Sequence, residues 1–207
     1  MATLIKKDFM LLKKYVLFII VILFVLPAAL VAKSSEVNLV QSTLAFAFEV
    51  IYSEFLICRY LAMKEYQYPK AASFLCTLPY TRNMQVASKY LIYLIVFVFC
   101  CGAYGIDTLF VPNLVKLNSE LIIPVLFAVS VLYSIYMPVQ YQFGYDKSKL
   151  IFMFLLIAFP LLIANTNITT VIKILSEITF PVMLISVLAA LALSVMVSVK
   201  IFNGKEL

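Results

Sequence analysis

The stretch Tyr15–Ala32, YVLFIIVILFVLPAALVA, runs for 18 residues without a charge. A helix rises about 1.5 Å per residue, so about 20 mostly apolar residues cross a hydrocarbon core of about 30 Å. One such run could belong to a buried helix in a soluble protein, but the rest of the chain is alike. Its 207 residues are 65% hydrophobic and 13% charged, with a mean hydropathy of +1.07. Soluble domains carry about 25% charged residues. There is too little polar surface here to cover a water-facing globule, so lipid is the solvent for most of the chain. A signal peptide fits the first stretch poorly, because Leu30 and Ala32 do not make a small-x-small cleavage site.

Five more apolar stretches follow. They are Val37–Cys58, interrupted by Glu49 and Glu54; Tyr90–Val111, with Asp107 near its end; Leu121 to about Phe143; Leu150–Ala164; and Phe180–Val199. The pattern predicts an all-α integral membrane protein, a six-transmembrane-helix bundle forming one domain over residues 1–207. Lys and Arg orient such a chain, because they stay on the cytoplasmic side. Of the 16 Lys and Arg residues, 13 fall in the N-terminal segment, the alternate loops and the tail, leaving Lys33, Lys116 and Lys173 opposite. Both termini are therefore expected in the cytoplasm. The net charge of +6 reads as an orientation device and not as a nucleic-acid surface.

Two flanking segments are informative. On a helical wheel, Leu4, Ile5, Phe9, Leu11, Leu12 and Tyr15 share one arc, and Lys6, Lys7, Lys13 and Lys14 the opposite one. This predicts an interfacial helix over residues 1–14, with Asp8 out of place inside the apolar arc. The cytoplasmic segment 59–89 is far longer than a connection needs. Pro69 suits a first helical position, Lys70–Thr77 fits about two turns, and Pro79 ends them. Thr81 is the expected N-cap of a helix that starts at Arg82 and continues into the third stretch. The apolar Phe74, Leu75 and Leu78 suit either a groove on a partner protein or packing back onto the bundle.

The composition also excludes chemistry. There is no His, which removes the commonest general base and metal ligand. Four Gly form no phosphate-cradling loop, so no nucleotide or other cofactor site is visible. Cys58, Cys76, Cys100 and Cys101 form no C-x-x-C pair and read as free thiols. An intramembrane protease would need zinc, a Ser–His pair or paired aspartates, and Asp107 stands alone.

Two motifs carry a resemblance. Leu78-Pro-Tyr-Thr-Arg82 with Val86-Ala-Ser-Lys-Tyr-Leu91, and Met137-Pro-Val-Gln-Tyr-Gln-Phe-Gly-Tyr-Asp-Lys147, resemble signatures of bacterial ABC exporter permeases of the type-2 class. The resemblance implies a transmembrane subunit in the bacterial plasma membrane, one half of a homo- or heterodimer, embedded in membrane lipids. It implies a separate ATPase subunit, holding ATP and Mg, docked on a coupling helix within residues 59–89 through Pro69, Phe74, Leu75, Leu78, Pro79 and Arg82. It places an inner turn at Phe143, Gly144, Tyr145 and Lys147, and a re-entrant segment at Asn165–Thr179. Similar proteins export amphipathic or antimicrobial peptides and antibiotics.

Glu49 falls near mid-depth of the second stretch, where a charge costs about 2.5–3.5 kcal/mol on insertion scales. It either lines a translocation pathway or sits protonated or hydrogen-bonded to a neighbour. Glu54 lies nearer the inner boundary and is expected to snorkel or to pair with Arg59 or Lys64. Against the permease stand an ion-coupled secondary transporter carrying protons on Glu49, and a non-transporting immunity or sensor protein. A secondary transporter would show inverted repeats, and the two halves of the chain show none.

Overall fold

The computed structural model describes residues 2–31, 39–68, 81–111, 114–165 and 180–204, all in or beside helices. Five helices follow one another: α1 (Ala2–Val31), α2 (Leu39–Gln67), α3 (Arg82–Phe110), α4 (Ser119–Asn165) and α5 (Phe180–Asn203). Thr81 caps α3 as expected, with extended backbone and its hydroxyl accepting from the Met84 N–H at 3.4 Å. α4 bends at Gly144, whose φ of 75° and ψ of −174° lie in a region open essentially to glycine alone. The inner turn is thus a single-residue break, with helix resuming at once on its far side.

The six-span expectation is corrected by these helices. Among the described residues three are long and apolar enough to cross a membrane: Asn83–Phe110, Ser119–Tyr145 and Pro181–Asn203. The described parts of the other three stretches do not reach that combination of length and hydropathy. In α2 the carboxyls of Glu49 and Glu54 and a run of hydroxyl and amide side chains from Gln41 to Thr43 dilute the apolar length. The protein is a multi-pass all-α bundle with a polar lining inside it.

Packing follows from side-chain size and charge. α1 turns Leu4, Asp8, Leu12, Ile19 and Leu23 inward, at the three- and four-residue spacing of one helical face. The centre is filled by Phe46, Val50, Tyr93, Val96, Phe97 and Tyr104, with Phe46 set between Phe97 and Tyr104. α5 packs on α4 and α3, and α1 on α2 and α3. The outward faces are apolar: Val98, Phe99, Leu109 and Phe110 on α3, and Ile185, Leu188, Leu193 and Met196 on α5, are all more than 60% exposed. A monomer in water rarely shows such continuous apolar faces, whereas lipid chains cover them without cost.

The bundle has two chemically distinct ends. At one end Asp8, Glu65 and Lys89 meet, Tyr66 packs on Tyr145, Tyr141 on Phe202, and Asn203 bonds Asn83. Lys6, Lys7, Lys64, Lys147 and Lys200 belong to this end. At the other, the Val115 N–H donates to Ser42 Oγ at 3.3 Å and the Tyr104 hydroxyl donates to the Val115 carbonyl at 3.4 Å.

Candidate functional site

Lys89 is the organising residue of the basic end. It lies two turns inside α3, and its side chain is 15% exposed. Burying an ammonium needs compensating charge, because desolvation costs several kcal/mol per ion. Two carboxylates supply it: Glu65 Oε1 at 2.6 Å, from the end of α2, and Asp8 Oδ2 at 3.2 Å, from α1. Lys7 contacts the other Asp8 oxygen at 3.2 Å. Asp8, misplaced on the N-terminal wheel, is therefore the anchor of α1. The wheel shows only that Asp8 is out of place; its partner lies 81 positions along the chain.

A hydroxyl network continues inward from Lys89. The Tyr133 hydroxyl donates to the Lys89 carbonyl at 3.0 Å, which joins α4 to the start of α3. Tyr133 stacks on Tyr93, with centroids 4.4 Å apart, and meets Tyr90 edge-on. The Tyr93 hydroxyl is bonded to Ser130 Oγ at 2.8 Å. Tyr90 reaches α5, at 2.7 Å from Ser194 Oγ and 3.0 Å from Ser198 Oγ. Ser194 donates its own proton to the Ser134 carbonyl at 2.8 Å, so Tyr90 donates to Ser194 and Ser198 donates to Tyr90. The adjacent Lys89 and Tyr90 thereby bind all four other helices.

Deeper in the bundle the carboxyls lose their partners. Glu49 is 0% exposed, and neither of its oxygens has a hydrogen-bond partner among the described residues. Asp107 on α3 acts on it electrostatically. Asp107 is buried as well, although it lies near the end of its apolar stretch. Glu54 is 4% exposed and likewise has no hydrogen-bond partner. It pairs with neither Arg59 nor Lys64, since Arg59 lies over the Phe55 ring at 5.8 Å and Lys64 over the Tyr60 ring at 5.5 Å. It lines a cavity of about 30 Å³ between α2 and α4, walled by Ile51, Phe55, Cys58, Val129, Leu132, Tyr133 and Tyr136.

The remaining expected site residues divide into two groups. Pro69, Phe74, Leu75, Leu78 and Pro79 lie outside the described residues, as does the segment 166–179. Arg82 opens α3. At the inner turn, Phe143 and Lys147 are exposed, and Tyr145 packs on Tyr66 with centroids 5.6 Å apart, joining the bend of α4 to the end of α2. Among the described residues, no group of three or more His, Cys, Asp or Glu side chains could hold a metal ion.

Long helices with lipid-facing apolar flanks, enclosing carboxyls and tyrosines, define a multi-pass membrane transport subunit. Residues 3–203 match the family described as ABC-2 family transporter protein, and the chain belongs to that family. No curated protein and no solved structure matches it. The family consists of transmembrane transporter subunits, not enzymes; they bind no cofactor and operate with a partner ATPase in the lipid bilayer.

Proposed function

We propose that this chain is the membrane-spanning subunit of an ATP-driven exporter. It forms the translocation pathway as a homo- or heterodimer and docks a separate ATPase through the coupling segment within residues 59–89. The single observation that carries the reading is the Asp8–Lys89–Glu65 cluster. Glu65 closes α2 just before that segment, and Lys89 sits in α3 just after it. Both ends of the segment are thus clamped to each other and to α1. A push on Pro69, Phe74, Leu75, Leu78 or Pro79 would reach three helices at once.

Phe143–Lys147 then form the inner turn, which Tyr145 joins to the end of α2 through Tyr66, and Glu49 forms a wall of the pathway. The lysine-rich end faces the bacterial cytoplasm by the positive-inside rule. Cytoplasmic termini are supported by Asp8 and Asn203, each of which contacts the first turns of α3. The cargo class that suits the family resemblance is an amphipathic or antimicrobial peptide or an antibiotic.

Replacing Phe74 and Leu75 with Asp tests the docking. Association with the ATPase subunit should disappear in a detergent pull-down while membrane insertion is unchanged. Undiminished association would remove this segment as the main contact.

A further inference from the structure

Among the described residues, Arg59, Lys64 and Lys89 are each engaged away from Glu54. Arg59 covers Phe55, Lys64 covers Tyr60, and Lys89 is held by Glu65 and Asp8. The hydroxyl proton of Tyr133, which lines this cavity and a second one beside Lys89, goes to the Lys89 carbonyl. Glu54 thus faces a small cavity whose other walls are aliphatic and aromatic, with no hydrogen-bond donor engaged. A buried carboxyl is retained in such surroundings at a cost, and an intramembrane carboxyl without a partner marks a functional position by default.

The cavity selects its ligand by charge, size and wall. A buried carboxyl such as Glu54 gives up its proton only beside a cation, so an anion gains nothing here. The ring faces of Tyr133, Tyr136 and Phe55 favour a cation. The centre of a water-sized group has about 30 Å³ to occupy, more than the roughly 10–15 Å³ that one water needs, so a small polar head group can enter. A primary ammonium suits that space, with its methylene chain against Val129 and Leu132. We propose that the cavity between α2 and α4 binds a primary ammonium group carried on an apolar chain, with Glu54 as its counter-ion. An alkylamine or a lysine-bearing amphipathic cargo offers this chemistry, and so does the head group of phosphatidylethanolamine. The site rests on the permease reading for its biological use.

Cys58, one turn from Glu54 on the same cavity wall, reports on it directly. The full chain with Cys76, Cys100 and Cys101 replaced by Ala is placed in phosphatidylcholine nanodiscs. Its reaction with 2-aminoethyl methanethiosulfonate is compared, by intact mass, with that of the uncharged ethyl reagent, each rate normalised to free cysteine. The ammonium reagent should react roughly tenfold faster, as expected for a cleft of opposite charge. Glu54→Gln should abolish that advantage, and dodecylammonium should slow the reaction in the Glu54 protein. Slowing by phosphatidylethanolamine nanodiscs alone assigns the site to the lipid head group; an unchanged rate there assigns it to a cargo amine. Equal rates for the two reagents, or no competition by dodecylammonium, overturn the proposal, and neither measurement needs the Glu54→Gln protein. The assay contains no ATPase, so its failure would leave the docking test untouched.

Discussion

At the residue scale the protein contrasts paired and unpaired buried charge. Lys89 has two carboxylate partners, and removing one member of such a cluster leaves the others desolvated without compensation. Lys89→Met should therefore destabilise the bundle by about 3–5 kcal/mol, seen as a lowered melting temperature in detergent. Adding Asp8→Leu should recover much of the loss, because an apolar pair needs no counter-charge. Glu49 should show the opposite sign. Glu49→Gln should raise the melting temperature, because it replaces an unpartnered carboxyl at a position where a charge costs about 2.5–3.5 kcal/mol. If Glu49 lines the pathway, ATP-dependent flux should fall in the same variant. The sequence marks both residues as anomalies, Asp8 by its place on the wheel and Glu49 by its depth. It does not reveal that one is satisfied and the other is not, because that depends on contacts between segments far apart in the chain.

At the element scale, local chemistry is legible and bends are less so. Thr81 could be read as a cap because its hydroxyl is well placed to accept a freed backbone N–H. The break at Gly144 looks, in sequence, like a loop between two helices, since Lys147 and Lys149 interrupt the apolar pattern. One glycine with positive φ suffices to redirect the helix, and DNA-encoded charge patterns do not distinguish a bend from a loop. A Cβ at residue 144 would meet nothing within 4 Å, so a side chain there costs backbone strain and not a clash. Gly144→Ala should lower stability by about 1–3 kcal/mol, measured by thermal unfolding in detergent. It should also weaken the contact between Tyr145 and Tyr66, which a near-ultraviolet circular dichroism change would register.

At the scale of the whole molecule, composition settles the solvent and the all-α class, but apolar length alone miscounts the spans. Six stretches read as membrane helices on hydropathy, whereas among the described residues three are long and apolar enough, α2 being diluted by its carboxyls. Sidedness is testable independently of that count. Lys116→Cys lies at the end opposite the lysine cluster and should react with a membrane-impermeant maleimide on intact cells. Lys147→Cys should react only after permeabilisation. The reverse pattern would invert the assigned orientation.

The meeting of all five helices at residues 89 and 90 has a mechanical consequence. A bundle tied together at one level pivots there, and everything beyond the tie becomes lever arm. From Lys89 to Phe110 that arm measures about 32 Å at 1.5 Å per residue, so a tilt of about 5° swings its far tip by about 3 Å. Small strokes delivered beside the fulcrum would thus be magnified across the membrane, opening the distant end while the knot itself stays shut.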